Sequence, residues 1–401
     1  FINGTTNSVL FNASIIEPIY NWNAPNTNGT PYQWDVQNQY SFAPNGQERN
    51  PLYTLANNQR KELRNRFIGN YNLSYDVAKW LKVTTEYSID FENSDFTDFL
   101  DKGYLSDHPD GNARLKGYLA KATFNGKAEN FRMEALLNKS IGKVSGNLKI
   151  GFLDERYVND FSRTEGYGLA VSGIQTLDNL IGPAKQTSSR SEEIITNSYY
   201  GVLDADYNKR ALVSFSFRRE GSSLFGVNTR WNNYYRASGA YRFITSESNL
   251  KSIQEFKVRA SIGTAGIRPL YGFRDETFTL TNGTATKANL GNDNLKPAVA
   301  TEVELGFNAS FLKRFDLEFN YVKTNTDDQI LLIPLSGVTG YTGQWRNAGE
   351  IEAKSYEINL GINVIKNENW KWDVNILWDK TSQVVKRLDV PSYFTGPGTQ
   401  E

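Results

Sequence analysis

The sequence contains no cysteine and a single histidine, His108, among 401 residues. The lack of cysteine excludes disulfides, thiolate zinc sites and a cysteine nucleophile, and one histidine nearly excludes histidine-based triads and metal sites. Basic and acidic residues number 44 each, so there is no cationic surplus to bind nucleic acid. The longest purely apolar run, Ile330–Ile333, is far shorter than the roughly 20 residues of a membrane helix.

Patterns that mark catalysis are also missing. Neither G-x-S-x-G nor a phosphate-binding G-x-x-x-x-G-K-[ST] is present. The pairs Glu302/Glu304 and Asp316/Glu318 could serve two-carboxylate chemistry, but their i,i+2 spacing on strands fits solvated charges on one face. Asp95–Asp110 is rich in aspartate but lacks the spacing of an EF-hand. We interpret it as a solvated loop, and a calcium site is the alternative. We therefore expect no enzyme, no cofactor and no metal site.

What the chain does contain is an unusual mixture of polarity and aromatic rings. Mean hydropathy is −0.53, yet 13% of residues are Phe, Trp or Tyr. Apolar and polar side chains alternate over runs of 9–15 residues, as in Thr301–Phe311, Leu81–Glu92 and Tyr356–Val364. Soluble strands average about five or six residues, whereas transmembrane strands need about 9–11 with one wet face. The pattern predicts an antiparallel transmembrane β-barrel, and a soluble β-sandwich or propeller is the alternative.

The lengths of the connections between the predicted strands support a barrel and indicate on which side of the membrane each connection lies. Short connections near 77–80, 140–144, 208–210, 245–254, 312–314 and 366–369 alternate with long ones near 93–130, 156–194, 221–233, 265–298 and 328–350. Short periplasmic turns and long extracellular loops are typical of outer-membrane barrels. We predict an extracellular region over 1–64, twelve wall strands over 65–381 and a further extracellular loop over 382–401. The run Leu115–Phe124 is interpreted as a strand extension beyond the membrane.

Aromatic residues in the predicted extracellular segments are the best candidates for contacts. Aromatic faces stack on sugar rings and peptide side chains, and they also pack well against a partner protein. Ligand contact, contact with a partner protein and simple loop packing all remain open for these residues. The candidates are Trp34, Tyr53, Trp231, Tyr341 and Trp345.

An ordered series of segments resembles the SusC/RagA-like TonB-linked outer-membrane transporters. The series extends from about residue 50 to 381 and comprises Asn50–Tyr53, Arg64–Asn70, Asp76–Leu81, Ala260–Gly266, Gly291–Pro297, Glu302–Gly306, Thr339–Gly340, Asn347–Ile351 and Tyr356–Ile358. The resemblance implies part of a 22-stranded barrel that is filled by a plug, pulled by TonB and covered by a SusD-like lipoprotein. We recognise no plug and no terminal strands, and the chain begins at Phe1, so we expect a fragment of a longer protein.

The resemblance implies active import of a bulky nutrient, an oligosaccharide or a peptide, across the outer membrane of a Gram-negative bacterium. The expected partners are the SusD-like lipoprotein, TonB through the plug, outer-membrane lipid and the substrate, with no nucleic acid. A SusC-like barrel that acts as a scaffold in a larger envelope assembly is the main alternative. An outer-membrane enzyme is the third hypothesis. Substrate identity and oligomeric state are not encoded in any pattern that we recognise.

Overall fold

The computed structural model describes residues 21–26, 32–34, 50–105, 115–182, 186–244, 252–281 and 283–390. One sheet contains twelve strands, which follow chain order. Two small sheets are separate from it: β9 Phe278–Thr281 with β10 Thr284–Lys287, and β11 Asn289–Leu290 with β14 Ile330–Pro334 and β15 Gly343–Asn347. In this part of the chain, no helix is long and apolar enough to cross a membrane. The wall strands are β1 Asn58–Ala78, β2 Leu81–Leu100, β3 Tyr118–Ile141, β4 Val144–Tyr167, β5 Gln186–Tyr207, β6 Ala211–Ser222, β7 Trp231–Ile244, β8 Ile253–Ile267, β12 Ala298–Phe311, β13 Phe315–Asp327, β16 Gly349–Lys366 and β17 Lys371–Leu388.

The alternation of side chains agrees with the pairing of the strands. β12 pairs antiparallel with β8 and β13, and Leu305 lies opposite Ala260 and Tyr321. Its neighbour Glu304 lies opposite Ser261 and Val322. Because successive side chains point to opposite faces, the apolar set shares one face and the carboxylates share the other. The predicted long antiparallel strands are therefore confirmed.

Tight turns close one end of the sheet. β1 and β2 are separated by two residues, as are β3 and β4, and β12 and β13 are separated by three. Asn208 and Lys209 between β5 and β6 both have positive φ, as do Leu312 and Lys313 between β12 and β13. Such left-handed pairs match the twist of a hairpin. The connections at the opposite end are longer than every turn, except that 223–230 equals 245–252 in length, so the strand bounds agree with the predicted alternation apart from this pair.

The strands extend further than the alternation indicates, and the predicted boundaries change accordingly. β1 begins at Asn58 rather than 65, β17 ends at Leu388 rather than 381, and the excursion 93–130 shrinks because β2 runs to Leu100 and β3 begins at Tyr118. The run Leu115–Phe124 belongs largely to β3, as expected of an extension. The ends of β2 and β3 are buried instead of facing lipid, as Leu100 and Tyr118 show, so the alternation that lipid imposes does not mark these ends although the backbone still pairs.

The chain divides into two compact units, and the first comprises Phe1–Gly69, Ile89–Ala128 and Tyr157–Glu193. Its core is an aromatic cluster of Tyr53, Leu100, Tyr104, Tyr118 and Ala120, with Trp34 and Tyr167 packed against it. Tyr53 lies on helix α1, Pro51–Asn57, whose first residue is a proline. The Asn50 side chain caps α1 by accepting a hydrogen bond from the Leu52 amide at 3.0 Å. This local sequence therefore places Tyr53 in the cluster.

Candidate functional site: the polar sheet face and the loop platform

The second unit comprises Asn70–Ser88, Glu129–Arg156 and Ile194–Glu401, and its polar sheet face carries clusters of ion pairs. Arg259 contacts Glu304 at 3.6 Å and Glu318 at 2.6 Å. Arg218 contacts Glu220 at 2.6 Å, and Arg268 contacts the same carboxylate at 2.7 Å. All of these residues lie at alternate positions of wall strands or at a strand end. Such half-exposed pairs contribute little to stability, about 0–1 kcal/mol each, so they mainly keep this face wet.

The carboxylate pairs of the sequence have structural partners. Glu304 and Glu318 share the Arg259 guanidinium, Glu302 accepts a hydrogen bond from Thr324 at 3.0 Å, and Asp316 accepts one from Ser310 at 2.6 Å. This arrangement matches solvated charges on a wet face. The described residues contain no group of three or more His, Cys, Asp or Glu side chains suited to a metal ion. His108 and the C-terminal part of Asp95–Asp110 lie outside the described residues.

Three connections at the long-loop end of the second unit are joined by hydrogen bonds. Arg274 donates to the carbonyl oxygens of Ser223 and Phe225 at 3.2 and 3.0 Å. Asn292 donates to the Trp345 carbonyl at 2.8 Å, and Lys296 forms an ion pair with Asp328 at 2.7 Å. Gly226 lies so close to Asp293 that an added Cβ would be 1.9 Å from the Asp293 carbonyl oxygen. The described residues of the loops 223–230, 268–297 and 328–348 are therefore joined to one another by these contacts.

Aromatic and charged side chains of these loops contact one another, and we call Phe273, Glu276, Lys287, Tyr341 and Trp345 the loop platform. The Trp345 and Phe273 rings stack with centroids 3.5 Å apart and planes 9° from parallel. The Tyr341 hydroxyl donates to Glu276, and the Lys287 ammonium lies 4.5 Å from the Tyr341 ring centroid. β15 Gly343–Asn347 holds Trp345 between β11 Asn289–Leu290 and β14 Ile330–Pro334. The platform is therefore supported by its own small sheet.

The five predicted contact residues do not form one group. Tyr341 and Trp345 lie together on the platform, whereas Trp34 and Tyr53 belong to the aromatic cluster of the first unit. Tyr53 is fully buried, and its hydroxyl accepts a hydrogen bond from the Leu105 amide at 2.7 Å. In this structure the Tyr53 ring packs in a core.

Trp231 requires a correction, because it is not a loop residue. It is the first residue of β7 and lies opposite Gly221 of β6. It stacks on Tyr199 with centroids 6.1 Å apart, and Arg219 lies 5.6 Å from its ring centroid. Its odd-numbered neighbour Tyr235 shares this apolar face. The ring therefore belongs to an aromatic girdle rather than to a loop tip.

A buried polar group marks the long-loop end of the first unit. Tyr118, the first residue of β3, donates to Glu165 at 2.7 Å, and Arg163 contacts the same carboxylate at 2.7 Å. Burial, with the hydrogen bond to Glu165, raises the pKa of Tyr118 far above its ordinary value. The hydroxyl therefore stays protonated and remains a donor at any physiological pH. Sequence patterns gave no signal for this contact, since its residues are 47 positions apart.

Sequence reasoning also missed exposed apolar side chains around the platform. Val338 is 97% exposed, Leu280 is 75% and Leu270 is 72%. Leu280 lies on a short strand of loop 268–297, Leu270 lies in an irregular part of the same loop, and Val338 lies in a short 3₁₀ helix of loop 328–348. Exposed apolar side chains of this kind indicate a contact surface. The sequence does not single them out, because both loops also contain apolar residues that are less exposed.

Comparison with known proteins identifies the family. The family described as "TonB dependent receptor-like, beta-barrel" matches residues 7–394. TonB-dependent receptor P26 of Formosa agariphila is 26% identical over 355 residues, which cover 82% of this chain and 34% of that protein. TonB-dependent receptor SusC of Bacteroides thetaiotaomicron is 24% identical over 85% of this chain and 35% of its own length. The chain thus spans about a third of these relatives.

Solved structures agree at the level of the fold. The RagAB peptide importer in its open-open state aligns with a TM-score of 0.79 and 16% identity, over 93% of this chain and 41% of the matched chain. A further structure of the RagAB peptide transporter aligns with a TM-score of 0.75 and 18% identity, over 90% of this chain and 40% of the matched chain. Both alignments show that the chain shares the fold of these structures. The chain therefore belongs to the TonB-dependent receptor-like β-barrel family, as a SusC/RagA-like part of a transmembrane barrel in the bacterial outer membrane.

Proposed function

We propose that this chain forms part of the barrel of an importer that takes up a bulky nutrient, an oligosaccharide or a peptide. The observation that carries the proposal is the two-sided wall. One face is apolar, while the other bears ion pairs such as Arg259 with Glu304 and Arg268 with Glu220. A wet interior face lets a polar solute pass lipid without losing its hydration. The barrel itself would carry out no bond chemistry.

A lid protein at the platform is the second part of the proposal. Val338, Leu270 and Leu280 expose apolar side chains on the same loops that carry the charged and aromatic platform. Mixed apolar and polar surfaces of this kind are typical of protein interfaces. SusC- and RagA-like relatedness favours a SusD-like surface lipoprotein as the occupant, and TonB would act through a plug of the full-length protein. Tyr341 and Trp345 are the aromatic residues that we propose as contacts for the partner or the substrate at this surface.

Deletion of the gene and complementation with the full-length protein test the import. Cells would receive fluorescent oligosaccharides or peptides of graded length, and uptake would be measured with and without TonB. The proposal expects TonB-dependent uptake of one of these classes, restored by the wild-type gene. If uptake is unchanged by the deletion while another envelope complex fails to assemble, the scaffold hypothesis replaces the importer.

Substitution of the three exposed apolar residues tests the lid. The variant L270D/L280D/V338D should lose the co-purifying lipoprotein while the barrel remains folded. The control T284D/N294D/S336D adds the same charges at exposed polar positions of these loops and should retain more of the partner. Equal retention of the lipoprotein by both variants would contradict the proposed contact surface.

A further inference from the structure

A cluster of four charged residues interrupts the apolar, lipid-facing side of the wall. Glu352 of β16 contacts the ammonium groups of Lys323, Lys354 and Lys386 at 3.0, 3.1 and 3.2 Å. Lys323 lies directly opposite Lys354 in the β13–β16 pair. The Glu352 side chain is 11% exposed, whereas the lysines are 39–46% exposed. The cluster therefore carries two positive charges in excess, and they are accessible.

The position of these lysines on the lipid-facing side follows from the register. Tyr321 and Tyr356 lie opposite each other, and two residues further along their strands are Lys323 and Lys354. Because two residues return a strand to the same face, the lysines share the face of the tyrosines. The tyrosine rings pack with centroids 5.1 Å apart, and Phe319 and Ile358 follow below them.

This order of side chains fixes the depth of the cluster in the membrane. Tyrosine rings prefer the headgroup level, and charges are costly within hydrocarbon. Two residues along a tilted strand correspond to about 5 Å of height. The lysines consequently lie just beyond the tyrosine girdle, on the side of the long loops, at the level where the phosphates of outer-leaflet lipid reside.

From this arrangement we propose that Lys323, Lys354 and Lys386 form a binding site for the phosphate groups of lipid A in the outer leaflet. Glu352 holds the three ammonium groups together, since each contacts one of its carboxylate oxygens within 3.2 Å. One carboxylate neutralises only one of them, which leaves a doubly cationic surface for a doubly anionic headgroup. The apolar residues below, such as Ile358 and Phe319, lie where acyl chains would pack.

Native mass spectrometry of the full-length protein with bisphosphorylated lipid A tests the site. The variant K323Q/K354Q/K386Q should bind lipid A about tenfold more weakly, because lysines near a membrane each contribute to anionic lipid binding. The control K313Q/K366Q/K371Q removes the same charge at the short-turn end and should retain wild-type affinity. Wild-type protein should bind chemically dephosphorylated lipid A as weakly as the triple variant does.

The substitution Glu352→Gln gives an effect of opposite sign. It removes the single negative charge of the cluster, so lipid A binding should be at least as tight as in the wild type. Heat-modifiable migration on gels establishes that each variant is folded. The proposal is wrong if the two triple variants bind lipid A equally, if dephosphorylated lipid A binds as tightly as the phosphorylated form, or if cross-links from Lys323 reach a protein instead of lipid.

Discussion

Leu305 and Ser261 provide a test of the two faces at one depth of the membrane. Leu305 lies on the apolar face of β12, between the outward residues Val303 and Phe307, and is 49% exposed. Ser261 of β8 lies opposite Glu304 on the polar face. We compare Leu305→Arg with Ser261→Arg, which introduce the same side chain on opposite sides of the wall.

The expected magnitude follows from the position of Leu305 in the apolar band. The outward apolar residues of β12 extend from Val303 to Phe311, a length of about 27 Å along the strand and about 20 Å along the membrane normal. Leu305 lies about 5 Å from the centre of that band, on the side of the long loops, opposite Tyr321. An arginine on the lipid face costs about 2–4 kcal/mol at the midplane and about 0–1 kcal/mol near the interfaces, so we expect an intermediate cost of about 2 kcal/mol for Leu305→Arg.

Ser261→Arg should cost much less. Its guanidinium would enter a wet groove beside Glu304, which already pairs with Arg259. Attraction to the carboxylate offsets part of the crowding with Arg259, and exposed pairs of this kind contribute under about 1 kcal/mol. We therefore expect a cost below about 1 kcal/mol.

Guanidinium titration of the full-length protein in lipid vesicles, followed by tryptophan fluorescence, measures both variants. Leu305→Lys serves as a second lipid-face variant in case the arginine variant is not assembled in cells. Leu305→Met, an apolar replacement, controls for loss of the leucine shape and should cost less than about 1.5 kcal/mol. Equal free energies of unfolding for Leu305→Arg and Ser261→Arg would refute the assignment of the faces.

The remaining predictions concern topology and the loop platform. Single cysteines at Ser189 and Thr284 should react with a membrane-impermeant maleimide on intact cells, and those at Lys79 and Lys313 should not; reversed labelling would invert the orientation. Gly226→Ala should speed tryptic cleavage of loop 268–297 because its Cβ collides with the Asp293 carbonyl, whereas Gly337→Ala, which meets open space, should not; equal cleavage would contradict the contact. Trp345→Ala should lower the free energy of opening of β14 and β15 by about 2 kcal/mol, because the stack with Phe273 is lost. Hydrogen exchange of the amides in β14 and β15 measures this change, and Val338→Ala should have no such effect.

The wall strands were predictable from the sequence because the membrane imposes alternation on them. Thr301–Phe311 and Tyr356–Val364 lie entirely within β12 and β16. A lipid-facing side chain must be apolar, and its neighbour on the wet face is polar. Whether a residue has an odd or an even position along a strand therefore tells which face its side chain is on. The carboxylates Glu304 and Glu318 were placed on the polar face for the same reason.

The loop contacts were not predictable, because they depend on residues distant in sequence. Phe273 and Trp345 are 72 positions apart and meet only because β15 pairs with β11 and β14. Tyr53 is in a predicted loop, yet the cap of α1 and the cluster around Leu100 bury it. The predicted long connection 221–233 includes Trp231, whereas in the structure the pairing of β7 with β6 begins at Trp231 itself.

Some charged residues lie on the same face as the apolar residues of a strand, and they indicate where the apolar band ends. On β16 the outward set runs from Tyr356 to Val364, and the preceding residues of the same parity are Lys354 and Glu352. On β13 the outward set Phe315–Tyr321 is followed by Lys323, and the register aligns Lys323 with Lys354. Two neighbouring strands thus change from tyrosine to lysine at the same register position.

A change of residue type that two strands share indicates the level of the membrane surface. A feature of one strand alone would not give this alignment, since each strand crosses that surface separately. The same alternation that identifies the apolar band therefore also locates its upper edge, and charge placed beyond that edge faces lipid phosphates instead of acyl chains.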